Sequence, residues 1–353
     1  MTTTTIINKK NLIIAGPCSA ESEEQLLNTA IELKQTGKVD VLRAGIWKPR
    51  TNPGSFEGIG TLGLSWLLKA KQQTGLQTAV EVATSKHAED SLSFDVDVLW
   101  IGARTTVNPF SVQEIADAIK GTNKIVLIKN PVSADIKLWI GAIERIQKAG
   151  ITHVGLIHRG FTTYGNSEYR NVPMWQIPIE MKRLFPELPL ICDPSHICGN
   201  RTGLQTISQK AVDLDYDGLM IESHCNPEAA LTDKQQQITP KELENLLNQI
   251  VWKKSVSNEA AFIKQLEHHR EQINQLDEEL LTLISNRMNI AKEIGNIKQN
   301  NKITVLQSSR YNEILEKAIR KGSQVGLSED FIKTYLEAIH IESIRIQNTL
   351  ITQ

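Results

Sequence analysis

The sequence predicts an α/β protein: a (β/α)8 barrel followed by a small all-helical domain. Two observations carry this. Eight short apolar runs in the first 225 residues each stop at a polar or charged residue, and the composition changes abruptly after Trp252. In order the runs are NLIIAGPCS (11–19), VLRAG (41–45), QTAVEV (77–82), VLWIGAR (98–104), IVLIKNP (125–131), THVGLIHR (152–159), LPLICDPS (188–195) and GLMIESH (218–224). Near-continuous Val/Ile/Leu runs, spaced by stretches long enough for a helix, are the pattern of parallel strands buried on both faces. In such a barrel the chemistry sits where the strands end. Those ends offer, in order, Cys18, Arg43, Glu81, Arg104, Lys129, Arg159, His196 and Glu222.

The second domain follows from what the tail lacks. All 12 prolines, all six tryptophans and all four cysteines lie at or before Trp252, and the remaining hundred residues show helical periodicity throughout. The expected domains are a barrel over 1–252, a linker over 253–260 and a helical domain over 261–353, with Ser257 or Asn258 capping the first helix. Lys+Arg 39 against Asp+Glu 40 leaves a net charge of −1, which argues against nucleic acid and membrane surfaces as partners. With no long apolar stretch, no signal-peptide core and four cysteines without a CxxC, the expectation is a reduced, cytoplasmic enzyme.

Cys18, His196, Glu222 and Asp233 are candidate metal ligands. Singly, each has an ordinary explanation. Together they sit at or just after the first, seventh and eighth strands, and closure of a barrel brings the first strand beside the eighth. Mixed S/N/O donors suit Mn2+ first, with Fe2+, Co2+ or Zn2+ as alternatives. A second set, Arg43, Lys48, Arg50, Thr51, Arg104, Lys129 and Arg159, points to anions. A guanidinium fork matches a phosphate or carboxylate, and cations at the ends of apolar strands are costly without an anionic partner.

AGPCSAES (15–22), LRAGIWKPRTNP (42–53), IGAR (101–104), LIKNP (127–131), HRG (158–160), DPSHICGNR (193–201) and IESHCNPEAALTD (221–233) resemble 3-deoxy-D-arabino-heptulosonate-7-phosphate (DAHP) synthases of the type I-beta branch, across about residues 8–250. The resemblance implies a TIM barrel that condenses phosphoenolpyruvate with erythrose 4-phosphate and releases phosphate. It implies that Cys18, His196, Glu222 and Asp233 hold one divalent metal ion. Arg104 and Arg159 would take the phosphoenolpyruvate phosphate, with Arg43 and Lys129 near its carboxylate and reacting carbons. Lys48, Arg50 and Thr51 would take erythrose 4-phosphate, and Lys48 and Lys129 would be catalytic. His158 departs from the family, where many members carry Glu, and Thr105–Thr106 replace an Asn-containing segment. The octulosonate-phosphate synthases share the barrel, but the KPRT loop differs from their KANR-type loop.

In the tail, residues 259–299 form one expected helix with an apolar stripe of Leu266, Ile273, Leu276, Leu280, Leu283, Ile284, Ala291 and Ile294, bordered by Arg270, Arg287 and Lys298. At ~100° per residue, Arg287 and Lys298 face within about 20° of each other, whereas Arg270 is about 25 Å from Arg287 along the axis. One small ligand cannot span that gap, so Arg270 either does something else or serves a partner subunit, which predicts an intertwined dimer. The segment LEHHREQINQLDEELLTLISNRMNIAKEIGNIK (266–298) is similar to the first helix of AroQ-class chorismate mutases. That similarity implies a three-helix dimer without a cofactor, rearranging chorismate to prephenate. Arg270, Arg287, Lys298, Gln307, Arg310, Tyr311, Ser343 and Gln347 would bind chorismate, with Gln307, Arg310 and Tyr311 on a short second helix and Ser343 and Gln347 on the third. Lys298 and Gln347 would stabilise charge on the breaking ether oxygen. Tyr311 and Gln307 stand where well-known members carry acids. A bifunctional homodimer or larger homo-oligomer is therefore expected, with chorismate or prephenate feeding back on the barrel through the helical domain. The alternative is a helical domain that serves mainly as a sensor and dimerisation module.

Overall fold

The computed structural model describes residues 6–49, 54–165, 167–254, 257 and 259–351, and the chain divides into two compact units at residues 255/256. In the first unit all eight apolar runs are strands: β1 Leu12–Gly16, β2 Val41–Ala44, β3 Gln77–Val82, β4 Val98–Ile101, β5 Ile125–Lys129, β6 Val154–His158, β7 Leu190–Cys192 and β8 Gly218–Glu222. They form a closed parallel barrel in sequence order, and β1 closes on β8 with Gly16 opposite Glu222. Helices such as Glu23–Gln35, Leu62–Thr74 and Ile136–Lys148 make the connections.

Side chains alternate about the barrel wall, as a pleated strand requires. Leu12, Ile14, Val41, Ala79, Val98, Trp100, Ile125, Leu127, Ile157, Ile191 and Met220 fill the interior. Their neighbours Ile13, Leu42, Val80, Leu99, Val126, Leu156, Leu190 and Leu219 face the helices. The same alternation turns Arg43, Glu81, Lys129 and Glu222 inward, each two residues beyond an interior apolar residue. Four of the predicted ends are not on strands: Cys18 and Arg159 follow β1 and β6 directly, and the other two are on short helices. Arg104 lies on a helical turn, Ala103–Thr106, and His196 on a five-residue helix, Pro194–Cys198, whose N-cap Asp193 accepts a hydrogen bond from the His196 amide. Gly16 sits at φ 150°, and a Cβ there would lie 2.0 Å from the Arg43 carbonyl oxygen, so only glycine lets β1 and β2 end side by side.

The second unit is three helices, Ala260–Asn300, Ser308–Gln324 and Glu329–Ile351, with the third packed against both others. The first begins at Glu259 without a side-chain cap; Ser257 Oγ instead accepts from the Glu259 amide, and Asn258 lies outside the described residues. At 17 residues the second helix is longer than expected, and Gln307 is its N-cap residue rather than part of it. Among the residues of the long helix, Met288, Ala291 and Gly295 are buried, on the face towards Ile339 and Ser343 of the third helix. Most of the predicted stripe is solvent-facing in the single chain: Ile273, Leu276, Leu280 and Leu283 are each half exposed or more.

Candidate active site

Trp100 floors the barrel's carboxyl end. The Arg43 guanidinium carbon is 4.9 Å and Lys129 Nζ 5.9 Å from its ring centroid, and its indole N–H donates to Glu81 Oε2 at 3.1 Å. Such cation–π contacts help keep the charge of Arg43 where water is excluded.

Above this floor three of the four predicted ligands converge. Donor atoms of Cys18, Glu222 and Asp233 lie within 4.8 Å of one another. His196 stands at the edge of the trio, its Nε2 3.8 Å from Glu222 Oε1 and its Nδ1 2.8 Å from Asp193 Oδ2. The latter contact leaves Nε2 on the side of Glu222. Glu222 Oε1 is buried and accepts no hydrogen bond among the described residues, facing the Arg43 guanidinium at 3.3 Å, so it retains lone-pair capacity for a further cation. Burial pushes the Cys18 thiol up to about 12, and the Glu222 carboxylate adds to the shift. Burial also acts against the Glu222 charge, yet His196, Arg43 and Lys48 together hold it below the usual carboxylate range. A soft thiol, two carboxylates and an imidazole fit a borderline divalent ion.

A cavity of about 300 Å³ opens beside these donors, and Lys48, Arg104, Lys129 and Arg159 line it together with His196 and Asp233. Lys48 Nζ is 3.0 Å from both Cys18 Sγ and Cys18 O. Lys129 pairs with Asp193 at 2.8 Å, and Arg159 donates to Asn171 Oδ1 at 2.6 Å. Burial brings the Arg159 guanidinium down to about 10, with Arg170 and Arg104 contributing, so it is protonated at neutral pH but crowded by like charge that an anion would relieve. Arg43 lies deeper than these cations: it does not line the cavity, only 1% of its side chain is exposed, and it sits 3.3 Å from Glu222 Oε1. It is the third of the four residues of β2, whereas Lys129 ends β5 and Lys48, Arg104 and Arg159 lie beyond their strands. Arg50 and Thr51 lie outside the described residues.

Several residues of the site escaped the sequence reading. Asp193 holds Lys129 and His196 at once, and the Asp-Pro-Ser-His pattern of a capped turn was its available signal. Arg170 lines the cavity and pairs with Asp233 at 3.0 Å. Asn171 accepts from Arg159 and donates to the His196 carbonyl at 2.7 Å. Burial in the helix layer accounts for His158: it follows Leu156 on the outward face of β6, its Nε2 is 2.6 Å from the Pro173 carbonyl, and its Nδ1 is 2.9 Å from the Tyr216 hydroxyl. Burial pushes it down to about 3, so it is neutral and donates from Nε2. Thr106 is likewise structural, its hydroxyl reaching the Gly102 and Lys129 carbonyls.

In the helical unit Arg287 Nη1 donates to Ser343 Oγ at 2.7 Å, and Lys298 Nζ to the Val305 carbonyl at 2.7 Å. Gln347 is buried, and its Oε1 accepts no hydrogen bond among the described residues. Arg310 is engaged by Glu313 at 2.9 Å on the surface, and the Tyr311 ring lies 4.3 Å from that of His340. Arg270 is exposed, 17 residues before Arg287 on one continuous helix.

Residues 3–259 match the DAHP synthetase I family, and residues 269–348 match chorismate mutase type II. The chain is 36% identical over 229 residues to phospho-2-dehydro-3-deoxyheptonate aldolase of Thermotoga maritima, covering 64% of this chain and 64% of that protein. It is 28% identical over 265 residues to 2-dehydro-3-deoxyphosphooctonate aldolase of Wolinella succinogenes, covering 68% of this chain and 98% of that one. The crystal structure of the Thermotoga maritima DAHP synthase superposes with a TM-score of 0.61 at 31% identity, covering 69% of this chain and 68% of that chain. With the closed barrel and the three helices that follow it in the sequence, these matches place the chain in the DAHP synthetase I family, with a chorismate mutase type II domain at its C-terminal end.

Proposed function

We propose that the barrel condenses phosphoenolpyruvate with erythrose 4-phosphate to give DAHP and phosphate, and that the helical unit rearranges chorismate to prephenate. The observation that carries the first reading is one cavity bearing Lys48, Arg104, Lys129 and Arg159 beside His196 and Asp233. Two phosphorylated anions meeting face to face need several cations to offset their repulsion. Arg104 and Arg159 hold the phosphoenolpyruvate phosphate, and Lys129, fixed by Asp193, meets its carboxylate end. Lys48, with Arg50 and Thr51, receives the aldehyde substrate. Cys18, His196, Glu222 and Asp233 would hold a divalent ion, Mn2+ first, with Fe2+, Co2+ or Zn2+ as alternatives. Such an ion supplies a Lewis acid for the aldehyde oxygen. C3 of phosphoenolpyruvate then attacks the aldehyde carbon, water adds at C2, and the resulting phosphohemiketal expels phosphate. Arg43, sealed beneath the donors, keeps Glu222 ionised rather than touching substrate.

The test is phosphate release from phosphoenolpyruvate with either erythrose 4-phosphate or arabinose 5-phosphate, before and after chelation. Turnover confined to erythrose 4-phosphate and abolished by chelator is expected. Preference for the pentose phosphate would move the chain to the octulosonate side, and indifference to chelator would sink the metal assignment.

The helical unit is read as a mutase on the strength of Gln347, whose buried acceptor has no hydrogen-bond partner among the described residues of the unit that also carries Arg287 and Lys298. Chorismate is a dicarboxylate, which suits these cations, and Lys298 and Gln347 would stabilise the departing ether oxygen. The half-exposed apolar side chains on the long helix and the distant Arg270 support a homodimer in which Arg270 completes the partner's site. A sensor role has its own support, since Arg310 and Tyr311 are occupied by Glu313 and His340. Fusion to a unit binding chorismate or prephenate would then let the pathway's later products restrain the barrel. Measuring chorismate loss, and condensation with and without prephenate, separates the two; unchanged condensation would end the feedback reading. Four free cysteines suit a reducing cytoplasm, and no helix among the described residues is long and apolar enough to cross a membrane.

A further inference from the structure

We infer that two adjacent glutamines, Gln236 and Gln237, are positioning residues that frame the Cys18, Glu222 and Asp233 donors and set the affinity of the site for a divalent ion; this rests on the metal reading above. Both are buried, at 1% and 0% exposure, while the neighbouring Gln235 is exposed. Buried amides need a reason, because each must be matched at both its donor and its acceptor end.

The matches lead to the donors. Gln236 Nε2 donates to Glu222 Oε2 at 2.6 Å, which ties up one carboxylate oxygen and turns the other, Oε1, towards Arg43 and His196; Oε1 accepts no hydrogen bond among the described residues. Gln236 Oε1 accepts from Arg170 Nη1 at 2.8 Å, and the same nitrogen reaches Asp233 Oδ1 at 3.0 Å. Asp233 therefore keeps Oδ2 towards Cys18 Sγ, 3.3 Å away. Gln237 Oε1 accepts from the Cys18 amide at 2.8 Å, and its Nε2 donates to the carbonyl of Thr232, the residue before Asp233, at 2.8 Å. One dipeptide thus reaches Glu222 directly, Asp233 through Arg170, and Cys18 through its backbone.

The backbone explains how. Ile238 bridges Ser223 in parallel: its amide donates to the Glu222 carbonyl at 3.1 Å, and the His224 amide donates to the Ile238 carbonyl at 3.0 Å. The chain after β8 therefore returns alongside the strand end that carries Glu222. Asp233 makes the return possible at φ 45°, a left-handed conformation uncommon outside glycine and held here by the Gln236 amide bonding the Asp233 carbonyl at 3.1 Å. A neutral amide suits this place. It can donate to Glu222 without adding a charge, whereas a carboxylate would face Glu222 at hydrogen-bond distance.

Partners of metal ligands of this kind commonly change affinity 10–100-fold when removed. The experiment titrates Mn2+ against a chelating dye with full-length parent, Gln236→Met, Arg170→Met and Gln235→Ala, and records thermal midpoints in excess EDTA. Mn2+ binding weaker by on the order of 10–100-fold in Gln236→Met and Arg170→Met, with parental midpoints in EDTA and no change in Gln235→Ala, is the expected result. Arg170 is nearly half exposed, so its variant keeps the test alive if Gln236→Met does not fold. Parental affinity within twofold in Arg170→Met, or in a folded Gln236→Met, overturns the inference. A parent protein that binds no Mn2+, Fe2+, Co2+ or Zn2+ instead overturns the metal reading on which it stands.

Discussion

Lys129 and Asp193 form a buried ion pair at 2.8 Å, 4% and 0% exposed, across the carboxyl ends of β5 and β7. Burial works against the Asp193 charge, and His196 and Lys129 overcome it, holding the carboxyl well below its usual range. Removing one partner leaves a buried charge unmatched, which typically costs 3–5 kcal/mol. Asp193→Ala is therefore expected to lower unfolding stability by about 3–5 kcal/mol in urea and to abolish condensation. Parental stability would show that the pair does not hold the site.

His158 predicts a pH dependence. Its folded pKa, about 3, lies below the ordinary value of 6.5, so the unfolded chain binds the extra proton. Its contribution to stability is present above pH 6.5 and is lost as the pH falls from there towards 3. Gln in its place keeps a donor for Pro173 and an acceptor for Tyr216 without titrating. Thermal midpoints of His158→Gln should fall less steeply with acid than the parent's; parallel curves would remove His158 from the acid sensitivity.

Gln347 should trade stability for activity. Its buried Oε1 has no hydrogen-bond partner among the described residues, a state that costs free energy until a ligand donates to it. Gln347→Leu is expected to melt at or above the parental temperature while chorismate turnover drops on the order of 100–1000-fold. A lower melting point with normal turnover would show a structural glutamine instead.

Arg270 and Arg287 can be separated by mixing. If Arg270 serves the partner's site, Arg270→Ala and Arg287→Ala proteins, each inactive as a mutase, should regain activity when co-expressed, because hybrid dimers contain one unaltered site. Activity that stays absent in hybrids confirmed by mass would place both residues in one subunit's site.

The strands and the long first helix of the tail were legible in the sequence because each depends on local periodicity: continuous apolar runs for strands sealed on both faces, a 3.6-residue stripe for the helix. The division of the rest of the tail into two further helices followed from the resemblance to AroQ-class mutases. The positions of Cys18, Arg43, Lys129 and Glu222 at or just after strand ends followed from the same runs. Which cations face the cavity did not. Arg43 and Lys48 are five residues apart and alike in charge, yet one pairs with Glu222 below the donors and the other lines the cavity. That difference depends on strand pleat and loop path together. Asp193, Arg170, Asn171, Gln236 and Gln237 were illegible for a related reason. Their roles rest mainly on partners far along the chain, up to 219 residues away in the Cys18 amide bonded to Gln237. The sequence by itself thus determined the barrel, the helical unit and the chemical types at the strand ends, since local pattern encodes burial. Only the tertiary structure decided which oxygen each carboxylate offers, which arginine touches the cavity and which histidine is sealed in the wall, because barrel closure brings those groups together.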